Sequence, residues 1–476
     1  MLTRPFLMIL VLVVVAALGA RALAADETLP HARAVAGASN PLLPGYFADP
    51  CVLAFEDRFI AYATIDPWGA DTLGCWESAD FKNWTFRELN WPTKKACTSP
   101  TSGGSKVWAP SVVRGGDGKF YMYVSVGSEV WVGKADHPLG PWENALGKQE
   151  PLIGRNYRPG FHMIDAEAFI DTDGTPYLYW GSGWGYKNGK CWAVRLKPDM
   201  TTFDSEVTEI TPSNYFEGPV MMKRGGKYYL MYSQGNTTVD TYRVHYAVGD
   251  SPLGKFVEGQ NSPILTTDKA AGVVSPGHHA MFDYGGESYI VYHLASLPRT
   301  KGTLRQTCID RLQFSPDGWI LPVVPTLDGA ARLQAVVATA KPASAAATKL
   351  TPVAASASSE ATTTWSAGRA IDANYFTRWM PAPDAAGHHW LQIDLGKPTA
   401  VRRCVLRPEY ATRAYRFSVA GSVDGNDWTT LADLSDKGAS GSPINVDVSG
   451  SWRFMRVNFA ADVKPGDASL WEIAVE

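Results

Sequence analysis

The sequence has almost no excess of charge of either sign. It carries 44 Lys and Arg against 47 Asp and Glu, a formal net charge of −3 over 476 residues. There is no basic stripe of the kind that binds nucleic acid, and no polybasic segment of the kind that attaches to an anionic membrane surface. We therefore expect no nucleic-acid partner.

Motifs for metal, nucleotide or serine-nucleophile chemistry are also missing. The six cysteines show no CxxC spacing, which argues against a zinc site. The glycine-rich stretch Thr101–Ser105 lacks the lysine and the strand-then-helix context of a phosphate loop. No Gly-x-Ser-x-Gly elbow lies between a strand and a helix. We therefore expect no catalytic cofactor.

Long apolar runs are confined to the N-terminus. Leu7–Leu18 is a nearly unbroken apolar run behind the basic Arg4, and Ala22-Leu23-Ala24 fits a small-residue cleavage site. No later stretch reaches the length that a membrane-spanning helix needs. We predict that residues 1–24 are a signal peptide, that no integral membrane segment remains after its cleavage, and that the protein is secreted to the periplasm or the exterior.

Helical periodicity is equally scarce, and strand-like runs dominate. Aromatic, β-prone runs such as 120–124 and 228–232 follow glycine-containing turns, and the arrangement repeats along the chain. The repeated units start at Asp49, Ala109, Asp165, Glu217 and His278. Repeats of this length with three or four strands each are typical of propeller blades. We predict an all-β protein with a five-bladed β-propeller over residues 40–330.

Three of the five unit starts are acidic: Asp49, Asp165 and Glu217. The first strand of a propeller blade lines the central channel, so residues at these positions converge on one end of the axis. Grouping three carboxylates is unfavourable, because burial and like charges oppose their ionisation. Glycoside hydrolysis needs such a group, since it uses one protonated and one ionised carboxyl. We therefore predict that these three residues are catalytic.

The motifs around these acids together resemble glycoside hydrolase family 43, over Asn40 to about Asp328. They are Ala48-Asp49-Pro50, Val107-Trp108-Ala109-Pro110-Ser111, Ile164-Asp165, Phe216-Glu217-Gly218-Pro219 and Pro276-Gly277-His278-His279. The resemblance implies an inverting mechanism, with Asp49 as general base and Glu217 as general acid. Asp165 would raise the pKa of the acid and orient it. The chain departs from the family at Ala166, where a proline is common.

The resemblance also suggests substrate contacts. His278 matches a histidine that relatives place on the axis, and Arg305 matches an arginine of the last blade that contacts substrate. Trp108 and Trp184 are candidate stacking residues, because aromatic rings pack on the C–H faces of sugars. We predict all four as substrate-binding residues.

A second domain follows an alanine-rich linker at 331–350, in which a short helix could form. Residues 351–476 resemble the discoidin-like β-sandwich (coagulation factor 5/8 type C), as used in carbohydrate-binding module family 32. The matching pieces include Ala370-Ile371-Asp372, Thr377-Arg378-Trp379 and Leu470-Trp471-Glu472-Ile473. The resemblance implies a structural Ca²⁺ near Asp372, Thr377 and Glu472, and hard oxygen ligands suit that ion.

These features predict an exo-acting glycoside hydrolase that removes arabinofuranosyl or related residues from polysaccharide side chains. α-L-Arabinofuranosidase is the first candidate, and β-xylosidase and a galactan- or galactofuranoside-cleaving hydrolase are the alternatives. A non-catalytic, lectin-like protein is the alternative of another class, and the three converging carboxylates argue against it. The sequence leaves open the sugar and linkage, exo or endo action, the ligand of the second domain, disulfide pairing and oligomeric state.

Overall fold

The computed structural model describes residues 32–297, 304–340, 349–383 and 388–476. The predicted signal peptide, residues 1–24, lies outside these ranges, as does the stretch 341–348 of the predicted linker. Strands make up nearly all of the regular structure, as the sequence predicts for an all-β chain. The described ranges contain no helix that is long and apolar enough to cross a membrane.

Five antiparallel sheets occupy residues 47–312, and within each sheet the strands are adjacent in chain order. The first four sheets have four strands and the fifth has three. The strands are β1 (Phe47–Phe55), β2 (Arg58–Ile65), β3 (Gly74–Ser78), β4 (Thr85–Arg87), β5 (Val107–Arg114), β6 (Phe120–Val126), β7 (Glu129–Ala135), β8 (Glu143–Asn144), β9 (Glu167–Ile170), β10 (Pro176–Trp180), β11 (Trp192–Arg195), β12 (Thr208–Glu209), β13 (Glu217–Arg224), β14 (Lys227–Gln234), β15 (Arg243–Gly249), β16 (Val257–Glu258), β17 (Gly277–Tyr284), β18 (Glu287–Ala295) and β19 (Arg305–Leu312).

The first strands of the five sheets form a closed ring. β1 contacts β5, β5 contacts β9, β9 contacts β13, β13 contacts β17, and β17 returns to β1. Sheets arranged in this way around a common channel are the blades of a propeller. The ring agrees with the five repeated units of the sequence.

Glycine pairs set the register of two hairpins in this ring. Arg224 pairs with Lys227, and the two residues between them, Gly225 and Gly226, have φ angles of 57° and 77°. A two-residue turn with positive φ at both positions is the type that matches the twist of a hairpin. The aromatic strand β14 therefore lies directly beside β13, as the turn signal in the sequence predicts.

The segments that precede and follow the ring pack on its first and fifth sheets. The amide of Leu42 donates to the carbonyl of Thr307 in β19 at 2.7 Å, and the side chain of Asn40 binds both the carbonyl and the amide of Ile309. Helix α1 (Ala331–Ala340) then packs Leu333 and Val337 into the apolar cluster of the first and fifth sheets. The first half of the predicted linker is therefore helical and packed on the propeller.

Six further strands form the second domain. They are β20 (Ala354–Ala357), β21 (Trp390–Pro408), β22 (Phe417–Ser422), β23 (Thr429–Asp433), β24 (Ile444–Phe459) and β25 (Leu470–Val475). The first half of β21 pairs with β20 and the end of β24, and its second half pairs with β25 and the beginning of β24. The two long strands thus run through both layers of a β-sandwich, around a core that includes Trp379, Phe417 and Phe459.

Polar and ionic contacts join the two domains. The hydroxyl of Tyr46, next to β1, donates to Glu409 of the sandwich at 2.8 Å, and Arg378 lies 3.0 Å from the same carboxylate. The side-chain amide of Gln306 in β19 donates to the carbonyl of Tyr375 at 2.7 Å. The sandwich is therefore bound to the first and fifth blades.

All six cysteines lie within the described residues, and each is a buried free thiol. Burial disfavours the charged thiolate and raises the pKa of Cys97, for example, to about 12. These thiols therefore pack as small apolar side chains and are not activated nucleophiles.

Candidate active site

A cavity of about 270 Å³ opens at the end of the ring where the first strands begin. All seven residues that the sequence predicts for the propeller site line it: Asp49, Trp108, Asp165, Trp184, Glu217, His278 and Arg305. Their roles stay predictions, but the ring brings them together from all five blades and a loop.

Within two residues of the start of each first strand, one residue has a left-handed backbone. These residues are Asp49, Ala109, Asp165, Gly218 and His278, with φ between 40° and 61°. The strand register shifts at this point in the first, second, fourth and fifth blades, which marks a β-bulge that re-aims the chain. The sequence analysis aligns Glu217 with Asp49 and Asp165. In the structure Gly218 holds that position, and Glu217 lies one residue before it.

Asp49 is buried and surrounded by donors. Its Oδ2 accepts a hydrogen bond from the hydroxyl of Thr64 at 2.7 Å, and its Oδ1 accepts one from Nη1 of Arg305 at 2.9 Å. Nδ1 of His293 lies 3.1 Å from the same Oδ1, and Nδ1 of His278 lies 3.4 Å from it. Burial alone would raise the pKa of Asp49, but the Arg305 charge and the two histidines outweigh it and hold this pKa well below its usual range.

Glu217 has two hydrogen-bond donors. The hydroxyl of Tyr242 donates to Oε1 at 2.6 Å, and that of Ser182 donates to Oε2 at 3.1 Å. Burial raises the pKa of Glu217, and the charge of Asp49 adds to this effect, while His278 and the two hydrogen bonds oppose it. The net direction is upward, so this carboxyl keeps its proton to a higher pH than an exposed glutamate.

Asp165 lies beside Glu217. One oxygen of each carboxyl and one ring nitrogen of His278 lie within 4.8 Å of one another. The amide of Asp165 donates to Ser125 at 2.8 Å, but its Oδ2 is buried and has no hydrogen-bond partner among the described residues. Burial and the neighbouring charge of Glu217 raise the pKa of Asp165 well above its usual value. Two such carboxyls titrate as a pair and retain one proton between them over a wide pH range.

Arg305 is held from behind by Asp66, which the sequence analysis leaves unassigned. Both oxygens of the Asp66 carboxylate accept hydrogen bonds from Arg305, at 2.8 to 2.9 Å. The position of Asp66 at the site end of β2, together with the need of a buried guanidinium for a carboxylate, is the signal that could have found it. Arg305 itself reaches the cavity, as predicted.

Aromatic residues form the mouth of the cavity. Trp184 is 46% exposed, and its ring centroid lies 3.7 Å from that of His162. Trp108 donates from its indole nitrogen to the carbonyl of Trp68 at 2.8 Å, and Trp68 is 40% exposed. The sequence analysis names Trp108 and Trp184 but not Trp68 or His162, because these two lie in loops with no repeat or motif.

The loop that carries Trp184 is fixed by two close backbone contacts. A Cβ atom on Gly183 would lie 1.8 Å from the carbonyl oxygen of Lys187, and one on Gly189 would lie 2.1 Å from that of Phe216. Only glycine permits this approach. Because Phe216 precedes Glu217, the contact at Gly189 ties the aromatic loop to the strand that carries this carboxyl.

The predicted calcium residues lie in the sandwich. The hydroxyl of Thr377 donates to Oδ2 of Asp372 at 2.8 Å, and Arg369 lies 3.3 Å from the same oxygen. Oε1 of Glu472 is buried without a hydrogen-bond partner among the described residues. Burial raises the pKa of Glu472 to about 8, and the charge of Asp372 contributes to the rise. An unpartnered buried carboxylate oxygen near a second carboxylate fits a hard divalent cation.

Three carboxyls, two of them buried, share this cavity with a guanidinium and an aromatic mouth, and glycoside hydrolysis can use such an arrangement. Residues 38–320 match the sequence model of glycosyl hydrolases family 43, and residues 354–473 match that of the F5/8 type C domain. The first match covers more than half of the chain. The chain therefore belongs to glycosyl hydrolase family 43, with an F5/8 type C domain behind the propeller.

Known relatives agree with this assignment. A β-D-galactofuranosidase of Aspergillus niger is 38% identical over 309 residues, which are 61% of this chain and 86% of that protein. An arabinoxylan arabinofuranohydrolase of Paenibacillus polymyxa is 29% identical over 347 residues, 63% of this chain and 53% of that protein. A solved structure of a glycoside hydrolase has a TM-score of 0.74 at 27% identity and covers 93% of this chain and 99% of that one.

Membership in this family, with its glycosidase relatives, makes the chain an inverting glycoside hydrolase and its substrate a carbohydrate. The lectin-like alternative of the sequence analysis is thereby disfavoured. The particular sugar is a separate question, because the relatives are named for different sugars.

Proposed function

We propose that this chain is an exo-acting furanosidase that releases one terminal furanosyl residue at a time from polysaccharide side chains. The observation that carries the proposal is the size and content of the cavity. Its volume of about 270 Å³ lies below the range of roughly 300–1,000 Å³ that encloses drug-sized ligands. A single sugar ring suits such a space. The carboxyls in the cavity wall then flank the glycosidic bond of that sugar at the mouth of the cavity.

The proposed roles follow from the charge state of each carboxyl. Asp49, with its lowered pKa, is ionised and takes a proton from the attacking water. Glu217, with its raised pKa, gives its proton to the leaving oxygen as the glycosidic bond breaks. The new C–O bond forms on the opposite face of the ring, which inverts the anomeric centre. Asp165 helps to retain one proton on the Asp165–Glu217 pair, and it aligns Glu217.

Two sugars are the leading candidates. α-L-Arabinofuranose and β-D-galactofuranose have the same ring configuration from C1 to C4 and differ in the chain that C4 carries, so one cavity floor suits both. The sequence analysis ranks arabinofuranose first. The Aspergillus niger relative, which is named a β-D-galactofuranosidase and is 38% identical, favours galactofuranose. β-D-Xylose remains a third candidate, since a Bacteroides ovatus relative at 27% identity is named a xylosidase/arabinosidase.

Hydrolysis of aryl glycosides tests the proposal. The panel is aryl α-L-arabinofuranoside, β-D-galactofuranoside, β-D-xyloside and β-D-galactopyranoside, each with wild type, Glu217→Gln and Asp49→Asn. We expect release from a furanoside by wild type and a loss of at least about 100-fold in both variants. Glu209→Gln, an exposed acid that pairs with Lys190, is the control and keeps full activity. Release from the xyloside alone, or cleavage only within polymers, would overturn the furanosidase proposal.

We further propose that the protein is exported and that its sandwich binds both glycan and one structural Ca²⁺. The N-terminal sequence pattern supports export, and cleavage after Ala24 is checked by the N-terminal sequence of the secreted protein. The unpartnered Oε1 of Glu472 supports the calcium site. Calcium bound there would hold Glu472 of β25 beside Asp372, which lies in the turn after Ala370.

A further inference from the structure

Asp66 is a buried acid that does not line the cavity. It follows β2, is 3% exposed and has no place in the chemistry proposed above. Its backbone amide donates to the carbonyl of Tyr46 at 3.1 Å, and its Oδ1 accepts a hydrogen bond from the amide of Trp68 at 3.2 Å. The carboxylate is therefore fixed within the wall behind the cavity.

The contacts of Asp66 with Arg305 define the position of the guanidinium. Oδ2 of Asp66 accepts hydrogen bonds from the backbone amide of Arg305 at 2.8 Å and from Nε at 2.9 Å, and Oδ1 accepts one from Nη2 at 2.8 Å. A guanidinium bound at both Nε and Nη2 is held in a fixed plane and direction. The nitrogen that remains, Nη1, donates to Oδ1 of Asp49 at 2.9 Å.

The charged groups around Asp49 come from several blades. Arg305 and His293 lie on the fifth sheet with His278, and Asp165 and Glu217 approach from the third and fourth. Burial opposes the ionisation of Asp49. Arg305 is the permanently charged cation in this group, whereas burial lowers the pKa of His293 to about 4. The charge of Asp49 therefore depends on where this guanidinium is held.

We propose that Asp66 is a positioning residue for the reaction: by holding Arg305 at its backbone and at two side-chain nitrogens, it fixes the third nitrogen against Asp49 and so keeps Asp49 charged and correctly aimed. This inference rests on the proposed role of Asp49 as general base. A simple structural role for Asp66 is the alternative, in which Arg305 would stay on Asp49 without it.

The pH profile of Asp66→Asn in the full chain distinguishes the positioning role of Asp66 from a simple structural role. The acid limb of kcat/KM reports protonation of the base in the free enzyme. Loss of the Asp66 charge alone, with Arg305 in place, leaves the pKa of Asp49 low or lowers it further. Release of Arg305 raises that pKa. We therefore expect the acid limb to move up by about one pH unit or more, and an unmoved or lowered limb would overturn the proposal.

Chemical rescue gives a second readout. Asp66→Ala leaves space for a small anion that can pair with Arg305. We expect formate to increase the kcat of this variant at least about 10-fold. No response to formate in a folded variant would contradict the proposal. If both Asp66 variants unfold at the assay temperature, Arg305→Lys tests the same contact, because one ammonium cannot bind the carboxylates of both Asp49 and Asp66. The acid limb of this variant must then also move to higher pH.

Asp310→Asn is the matched control. Asp310 lies on the same strand as Arg305, is also 3% exposed and accepts hydrogen bonds from Tyr292 and Thr326. Its loss should lower the melting temperature and leave the acid limb in place. Asp49→Asn distinguishes failure of the proposed function from failure of this inference. An active Asp49→Asn enzyme refutes the base itself, whereas an inactive one beside an unaltered Asp66→Asn refutes only the role of Asp66.

Discussion

The phenol of Tyr242 donates a 2.6 Å hydrogen bond to Oε1 of Glu217 and stacks on His293, with ring centroids 5.7 Å apart and planes 7° from parallel. The same phenol packs against Gly277, where a Cβ atom would lie 2.4 Å from its ring. Tyr242 is therefore locked in place by the fifth blade, and its hydroxyl stabilises the charged form of the proposed acid.

Tyr242→Phe removes this hydrogen bond with little change of shape. Because the bond lowers the pKa of Glu217, its loss raises that pKa. The basic limb of kcat/KM, which reports deprotonation of the general acid, should move to higher pH by about half a unit to one unit. A limb that moves down, with an unchanged melting temperature, would contradict the assignment of Glu217.

Asp165→Asn should act in the opposite direction. The charge of Glu217 raises the pKa of the neighbouring Asp165, and such an interaction is reciprocal. Removing the Asp165 carboxyl therefore lowers the pKa of Glu217 and moves the basic limb to lower pH. We also expect kcat to fall at least about 10-fold, since the acid loses its alignment. Opposite shifts in Asp165→Asn and Tyr242→Phe, measured under one set of buffers, would identify Glu217 as the group that titrates.

Trp184→Ala tests the aromatic mouth. Trp184 lines the cavity and is 46% exposed, so its loss removes substrate contact at little cost in stability. We expect KM to rise about 10-fold, the equivalent of one aromatic contact, with a smaller change in kcat. Tyr157→Ala is the control, because Tyr157 is 37% exposed but does not line the cavity. Equal effects of the two substitutions would exclude a specific role for Trp184.

Calcium should stabilise the protein in a pH-dependent way. Burial raises the pKa of Glu472 from its ordinary 4.5 to about 8. Between these pH values the unfolded chain releases the Glu472 proton while the fold retains it, so the metal-free fold loses stability as the pH increases. A bound cation needs the ionised form. The rise in melting temperature on adding calcium should therefore be larger at pH 8 than at pH 5. Calcium at 100 times Kd should increase the free energy of unfolding by about 2.7 kcal/mol.

Glu472→Gln should abolish this calcium effect, while the chelated protein keeps a melting temperature close to that of wild type at low pH. Differential scanning calorimetry of the whole chain, with EDTA or with excess calcium, measures both. A calcium-induced rise in melting temperature that is the same at pH 5 and pH 8, or that persists in Glu472→Gln, would place the cation elsewhere.

The sequence reveals those parts of the site that belong to the repeat. Asp49, Asp165 and His278 occupy equivalent positions of blades, and equivalent positions converge in a closed ring, so periodicity alone brings them together. Glu217 is predicted in the same way but lies one residue before the bulge, at Gly218. Sequence spacing does not define a bulge, because the extra residue is accommodated by backbone conformation and not by a change of pattern.

Only the tertiary structure decides which partners surround these acids. Asp66, Tyr242 and Ser182 each lie in an unremarkable local sequence, and they reach the site because hairpins return the chain to the same end of the ring. Local propensity and pattern determine the strands, the turns and the two domains. The charge state of each carboxyl depends on burial and on groups up to 256 residues away, such as Arg305 beside Asp49, and these distances exist only in the closed fold.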